Sequence, residues 1–216
     1  AERFTELVVH ALVGGRQVTV ISNGNGPREV YRRLAALPIR MLELSVHAAQ
    51  PVLHDRITGV DGSWQRAMEC ARMMRQAGIE VVPVLVITAW NVKEVEPALR
   101  FFAAEGFQRV LVNRYNLSGP DWGRAAQLSA PAPELREAFR RIDALAVALG
   151  LTVSSGACTP YCLLDPADYP HIGFGVCSDN LYARPLTVDA EGNLRLCNHS
   201  PVVAGNIFRE PLSAIF

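Results

Sequence analysis

The sequence lacks the features of membrane proteins, secreted proteins and strongly charged nucleic-acid-binding proteins. No apolar run approaches the roughly 20 residues that a membrane-spanning helix needs, and no secretory signal opens the chain. An excess of charge of one sign is also missing, because 21 Lys and Arg residues balance 21 Asp and Glu residues. We therefore expect no bulk electrostatic binding to nucleic acid or to an anionic membrane.

Several common catalytic motifs are absent as well. The sequence has no H-E-x-x-H zinc motif, no G-x-G-x-x-G dinucleotide fingerprint, no Walker lysine and no G-x-S-x-G nucleophile elbow. A hydrolase that uses Ser45 and His47 is only a minor alternative, because no carboxylate is evidently placed to orient the histidine.

Cysteine is scarce and unevenly placed. Of five cysteines, Cys158, Cys162, Cys177 and Cys197 fall late in the chain, and Cys70 lies within a helical pattern where it is predicted to be a core residue. Without a secretion signal, a late group of four favours metal or redox chemistry over disulfides. Thiolates in sets of four hold zinc or iron–sulfur clusters, although the absence of C-x-x-C pairs disfavours a zinc ribbon. Ordinary buried thiols are the remaining alternative.

Strand and helix patterns alternate along most of the chain. Such alternation with short connectors predicts an α/β fold with right-handed crossovers and a parallel sheet. The predicted strands are 17–22, 39–47, 79–88, 109–115 and 151–154. The predicted helices are one that opens the chain and ends at Gly14-Gly15, 28–37, 64–76, one that starts with a capping box of Asn91 and Glu94, and 134–149. A loop with Pro51 and the segment HDRITGVDGS is predicted after the second strand.

The pattern changes near residue 155. Helical periodicity ends there, and two short strands, Leu181–Val188 and Asn193–Cys197, flank a turn. We predict two domains, a parallel α/β domain over 1–155 and a small cysteine-containing β-hairpin module over 156–216.

Polar residues follow the predicted strands at their carboxyl ends. Parallel sheets bind ligands at that edge, so we predict that Asn23, Ser45, His47, Thr88 and Arg114 line a cofactor-binding site. The arginine is suited to holding a carboxylate. A satisfied core hydroxyl for the serine and a rim salt bridge for the arginine remain alternatives.

Three stretches and one cysteine spacing resemble a known family. VTVISNG is similar to a strand ending in Thr-Asn-Gly. LSVHA followed by HDRITGVDGSW is similar to LSLDG, then HD, then a Gly-Ser helix start. AGIEVVPVLVITAWN is similar to a fifth strand with its following Asn. Cys177, Gly192 and Cys197 fit the spacing C-x(9–15)-G-x(4)-C. Together these features resemble radical S-adenosylmethionine (SAM) enzymes with a SPASM or twitch-type extension.

The resemblance implies a partial (β/α)6 TIM-like barrel that binds S-adenosylmethionine at the strand tips. Ser45 would lie near the ribose, Arg114 would face the cofactor, and Cys177 and Cys197 would ligate an auxiliary iron–sulfur cluster. Cys158 and Cys162 lie outside the SPASM spacing, so they either complete that site or are incidental.

The resemblance also implies a reaction and partners. Enzymes of this family use a [4Fe–4S] cluster to cleave S-adenosylmethionine, and the resulting 5′-deoxyadenosyl radical abstracts hydrogen from the substrate. For this chain the implied substrate is a peptide or protein, with an electron donor such as flavodoxin or ferredoxin and a cytoplasmic location.

The sequence departs from the family at several points. It contains neither the C-x(3)-C-x(2)-C motif of the radical cluster nor the family's Gly-Gly-Glu segment. The later SPASM cysteines are missing, and His47 replaces the usual aspartate of LSLDG. We therefore expect the chain to be part of a longer enzyme and to be inactive alone. The alternative is a non-catalytic, barrel-like binding module with a structural metal site of four cysteines.

Overall fold

The computed structural model describes residues 2–116, 126–175 and 186–215. Within these ranges the helices are α1 Glu2–Val13, α2 Arg28–Ala35, α3 Pro51–Thr58, α4 Ser63–Gln76, α5 Val95–Ala104, α6 Ala132–Leu149 and α7 Leu212–Ile215, with a 3₁₀ turn at Pro166–Asp168. The strands are β1 Thr19–Ser22, β2 Met41–Ser45, β3 Glu80–Ile87, β4 Arg109–Arg114, β5 Thr152–Ser155, β6 Ile172–Phe174, β7 Thr187–Val188, β8 Asn193–Arg195 and β9 Gly205–Asn206. None of the described helices is both long and apolar enough to span a membrane.

Six parallel strands form the main sheet in the order β1-β2-β3-β4-β5-β6. All five neighbouring pairs in this sheet are parallel. The predicted α/β architecture, a partial barrel with parallel strands, is thereby confirmed. Because all six strands are parallel, their carboxyl ends lie at one edge of the sheet.

The two faces of β2 differ sharply in burial. Leu42 and Leu44 are fully buried in the main core, whereas Glu43 and Ser45 are only half-buried. Successive strand side chains point to opposite faces. We call the side that carries Glu43 and Ser45 the open face, although their partners on β3, Val82 and Val84, are buried.

Two elements were missed in the sequence. Residues 51–58 were predicted as loop, but they form α3, which begins with Pro51 at a position that needs no N–H donor and ends at the left-handed Gly59 (φ 69°). β6 was also missed, because a strand of three residues is too short to show a period.

The helix after Asn91 begins later than its sequence indicated. A capping box of Asn91 and Glu94 was predicted, but α5 starts at Val95 and its N-cap residue Glu94 makes no side-chain capping bond. Pro97 therefore lies in the first turn, where the missing N–H costs nothing, so it does not interrupt the helix.

Two short strands, β7 and β8, pair antiparallel at the position of the predicted β-hairpin. Residues 181–185 of the predicted first strand lie outside the described residues. β9 adds a third strand that was not predicted. β6 lies in the main sheet although it follows the domain boundary predicted at residue 155. The two-domain division remains a prediction, and we would place its boundary after Phe174.

Replacing Gly192 with alanine should loosen the β7–β8 turn. Gly192 has φ +80°, and an added Cβ would lie 2.5 Å from the Phe208 ring. The ring is 74% exposed and can swing away, so the left-handed backbone carries most of the cost, about 1–2 kcal/mol. Amide exchange at Asp189 and Ala204, which hydrogen-bond across this sheet, should accelerate roughly tenfold.

Gly150→Ala is the matched control, because Gly150 also has a left-handed φ (+64°) but lies at the end of α6 with open space around it. It should leave exchange in the hairpin unchanged. Unaltered exchange in Gly192→Ala would show that the turn does not depend on glycine.

Candidate functional site

The carboxyl end of β2 places polar side chains on the open face of the sheet. Ser45 pairs with Val84 of β3, while Asn113 of β4 pairs with Val86. Paired residues in a parallel sheet point to the same side, so Ser45 and Asn113 share a face. Among the described residues, none forms a hydrogen bond with the Ser45 hydroxyl.

His47 is held in the neutral form at the tip of β2. Its backbone N–H donates to His54 Nδ1 (3.0 Å), and its own Nδ1 accepts from the N–H of Val86 (3.4 Å). The two imidazoles stack with ring centroids 5.6 Å apart. Burial, and then the proximity of His54, lower the pKa of His47 to about 4.

We expect His47 to titrate near pH 4 rather than near its ordinary value of 6.5. The folded state then binds fewer protons than the unfolded state, so the free energy of unfolding should fall as the pH drops from 6.5 towards 4. An NMR titration of the histidine side chains measures this directly, and His47→Gln identifies the resonance. Titration of His47 near 6.5 would contradict a desolvated ring.

Asn91 joins the tips of β2 and β3. Its Nδ2 donates to the carbonyls of His47 and Val86, both at 2.9 Å, and its Oδ1 accepts from the N–H of Thr88 at 2.7 Å. The side chain is only 1% exposed. This residue therefore fixes the spacing of two strand ends at the candidate site, a role that sequence reasoning missed because it placed Asn91 in a helix cap.

Thr88 itself is buried beside Asn91. Its hydroxyl donates to Asn91 Oδ1 (3.1 Å) and accepts from the N–H of Trp90 (3.2 Å). The structure thus gives this hydroxyl two internal partners, and contact of Thr88 with a cofactor stays a prediction.

Arg114 extends from β4 to the segment that follows β5. Its guanidinium donates to Thr159 Oγ1 (3.0 Å), to the Cys158 carbonyl (2.9 Å) and to the Tyr115 carbonyl (3.2 Å). Burial lowers its pKa from the ordinary value, but an arginine remains charged. These bonds leave one N–H on each terminal nitrogen available for a ligand.

A second arginine forms hydrogen bonds with the segment that follows β5. Arg136 of α6 donates to the carbonyls of Cys162 (2.8 Å) and Leu163 (3.0 Å). Asn113 Oδ1 accepts from two further backbone N–H groups, at residues 156 and 157. The chain around Cys158 is therefore attached to the end of β4, and the chain around Cys162 is attached to α6.

Asn23 follows β1 and is exposed. Its Oδ1 accepts from the N–H of Asn25 (3.0 Å), which stabilises the turn. The same loop is closed by Tyr31, whose hydroxyl lies 2.8 Å from Ser22 Oγ and accepts from the N–H of Gly26. Asn23 thus lies at the predicted edge, and its role toward a cofactor remains a prediction.

The cysteines differ in their surroundings. Cys70 is buried, and burial raises the pKa of its thiol to about 12, in agreement with the predicted core role. Cys197 accepts a hydrogen bond at Sγ from the N–H of His199 (3.4 Å). Cys177 lies outside the described residues.

Glu43 is a candidate that sequence reasoning missed. It lies on the open face two residues before Ser45, and burial raises the pKa of its carboxyl, while nearby Arg109 opposes the shift. The alternation in MLELS already placed Glu43 in phase with Ser45, so the signal was present in the sequence.

Ser45 and Arg114 suit one of the cofactors implied by the resemblance, S-adenosylmethionine. The uncommitted hydroxyl of Ser45 suits a sugar hydroxyl, and the remaining N–H groups of Arg114 suit a carboxylate. The radical cluster is not matched: no group of three or more His, Cys, Asp or Glu within 2–116, 126–175 and 186–215 could hold a metal, and C-x(3)-C-x(2)-C is absent from the sequence.

Residues 2–102 match the family model of the Radical SAM superfamily. The resemblance to radical SAM enzymes inferred from the sequence is therefore confirmed for this segment. The SPASM extension is not confirmed. No curated protein matches the chain.

Solved structures of two other proteins share the fold. SuiB of Streptococcus suis bound to S-adenosylmethionine is similar with a TM-score of 0.73 and 14% identity, over 98% of this chain and 50% of SuiB. SuiB bound to its precursor peptide SuiA gives 0.71 and 12%, with the same coverage. The enzyme anSMEcpe with bound AdoMet gives 0.65 and 14%, over 93% of this chain and 57% of the other. The chain thus spans about half the length of the structures it matches.

Proposed function

We propose that the chain is part of a radical SAM enzyme that cleaves S-adenosylmethionine to a 5′-deoxyadenosyl radical and abstracts hydrogen from a peptide or protein. The observation that carries this proposal is the match of residues 2–102 to the Radical SAM superfamily. The polar groups at the strand tips support it. In this proposal the ligands of the radical cluster come from sequence outside these 216 residues.

The chain's own residues would bind and orient the cofactor. Ser45 would hold a ribose hydroxyl, and Arg114 would hold the methionine carboxylate through its remaining N–H groups. Neutral His47 would form one wall and keep charge away from the sugar, with Asn23 and Thr88 at neighbouring strand ends. Burial of this edge would protect a radical from water.

The test uses the full-length gene product, expressed and purified without oxygen. With dithionite and S-adenosylmethionine it should form 5′-deoxyadenosine, detected by chromatography and mass spectrometry. Ser45→Ala should raise the Kd for S-adenosylmethionine by about five- to tenfold through loss of one hydrogen bond. Thr19→Val, which removes a hydroxyl from the far end of β1, should leave that Kd unchanged. Absence of both iron and 5′-deoxyadenosine would overturn the proposal.

We further propose that Cys177 and Cys197 ligate an auxiliary iron–sulfur cluster, with Cys158 and Cys162 as additional ligands. Two observations support this. The N–H bond to Cys197 Sγ suits a thiolate acceptor, and the chain at Cys158 and Cys162 is held by Arg114 at the end of β4 and by Arg136 of α6. Cys197→Ala should lower the iron content, whereas Cys70→Ala should not. Bound zinc instead of iron would favour the alternative of a binding module with a structural four-cysteine site.

The proposed partners follow from the same assignment. The SuiB structure contains a precursor peptide, which supports a peptide as the substrate class of this chain. An electron donor such as flavodoxin or ferredoxin completes the proposal, because the reaction begins with one-electron reduction. Mixing the reduced donor with the holoenzyme should replace dithionite in the assay above.

A further inference from the structure

A stacked arginine and tryptophan lie near the tips of β2 and β3. The guanidinium carbon of Arg56, on α3, lies 5.1 Å from the centroid of the Trp90 ring. Arg56 is exposed and Trp90 is 40% exposed. Val52, four residues before Arg56 on the same helix, is 82% exposed and lies on the same side of it. The pair therefore combines a cation with apolar surface.

Both halves of the pair rest on hydrogen-bonded neighbours. Asp55, next to Arg56, accepts from Ser63 Oγ and the N–H of Trp64, both at 2.8 Å, which fixes α3 against α4. On the other side, the backbone N–H of Trp90 donates to the Thr88 hydroxyl. Asn91 is hydrogen-bonded to the ends of both β2 and β3. The exposed pair is thus held on a rigid base.

Arg56 differs from Arg75, another arginine that lies over an aromatic ring. Arg75 also stacks on an aromatic ring, at 4.9 Å from Phe107, but it donates to the carbonyls of Glu105 (2.6 Å) and Gly106 (3.2 Å). Arg75 therefore has a structural role. In the described part of the chain, Arg56 has no hydrogen-bond or carboxylate partner besides its stacking contact.

We propose that Arg56 and Trp90 form a binding site for a carboxylate of an acidic peptide. A guanidinium that lies over an indole ring keeps N–H donors along its edge, where a carboxylate can accept two of them. Stacking also lowers the entropy that the side chain loses on binding. Trp90 and Val52 offer apolar contact to the residue beside the acid.

The peptide as ligand rests on the proposed function, whereas carboxylate binding does not. The test below requires neither S-adenosylmethionine nor a cluster, so its failure and the failure of the proposed function are distinguishable.

The experiment follows the indole N–H resonance of Trp90 in the folded chain, assigned with Trp90→Phe. The probes are Ac-Leu-Glu-NH2, with a side-chain carboxylate, Ac-Leu-Gln-OH, with a terminal carboxylate, and Ac-Leu-Gln-NH2, with none. At least one acidic probe should shift the resonance with a Kd in the millimolar range, and the neutral probe should bind at least fivefold more weakly. Comparison of the two acidic probes identifies the source of the carboxylate.

Variants test the role of the arginine. Arg56→Gln should raise the Kd at least fivefold, and Arg56→Lys should give an intermediate value because it keeps the charge but loses the planar fork. Arg32→Gln removes the same charge from the last turn of α2 and should change nothing. Equal binding of acidic and neutral probes, or unchanged affinity in Arg56→Gln, would overturn the proposal.

Discussion

Replacing Asn91 with aspartate should lower the free energy of unfolding by about 3–5 kcal/mol at neutral pH. The carboxylate cannot donate, so the carbonyls of His47 and Val86 lose their 2.9 Å bonds and face a negative charge instead. The side chain is 1% exposed, so water cannot compensate. Denaturant unfolding followed by circular dichroism measures the loss.

Two comparisons make this prediction specific. Asn113→Asp is the matched control, because Asn113 uses its Oδ1 as the acceptor for two backbone N–H groups and a carboxylate accepts equally well. It should cost little. The difference in free energy of unfolding between Asn91→Asp and the unsubstituted protein should also become smaller at low pH, because the protonated acid can donate one hydrogen bond. Equal stability of the two aspartate variants would show that the donated bonds at Asn91 are not needed.

Gly24→Ala should cost about 3 kcal/mol, the sum of backbone strain and overpacking. Gly24 follows β1 with φ +75°, and an added Cβ would lie 2.8 Å from the Cα of Ala67. Ala67 is fully buried in α4, so its backbone has no room to retreat. The loop after β1 would have to move away from the helix, and with it Asn23 at the candidate site.

Gly59→Ala separates the two contributions to the Gly24 effect. Gly59 has a similar left-handed φ (+69°) but no atom within 4 Å of an added Cβ. It should therefore show the backbone strain alone, about 1–2 kcal/mol. If both variants lose the same stability in urea, the close approach to α4 contributes nothing.

The strands were predictable because their apolar residues follow a simple period. Glu80–Ile87 is nearly continuous in β-branched and apolar residues, as a strand buried on both faces should be. The placement of Ser45 and His47 at the end of β2 followed from the same reasoning. α3 and β6 were missed because a short helix with polar residues and a strand of three residues carry no readable period.

The candidate site was harder to predict than the strands, because its geometry depends on contacts between residues far apart in sequence. From its sequence, Arg114 was expected to hold a ligand carboxylate or to form a rim salt bridge. The structure shows it bonded to Thr159 and to the carbonyl of Cys158, some 45 residues away. Similarly, Asn91 looked like a helix cap, whereas it bonds to His47, 44 residues earlier.

By itself, the sequence determined the parallel α/β architecture, the edge of the sheet where polar groups gather, and the resemblance to radical SAM enzymes. Periodicity, turn residues and short motifs are local properties, so they can be read along the chain. Only the tertiary structure decided the partners of Asn91 and Arg114, the stacking of His47 on His54 and the pairing of Arg56 with Trp90. Each of these contacts joins different elements, and their geometry is fixed by how helices and strands pack rather than by the residues nearby in sequence.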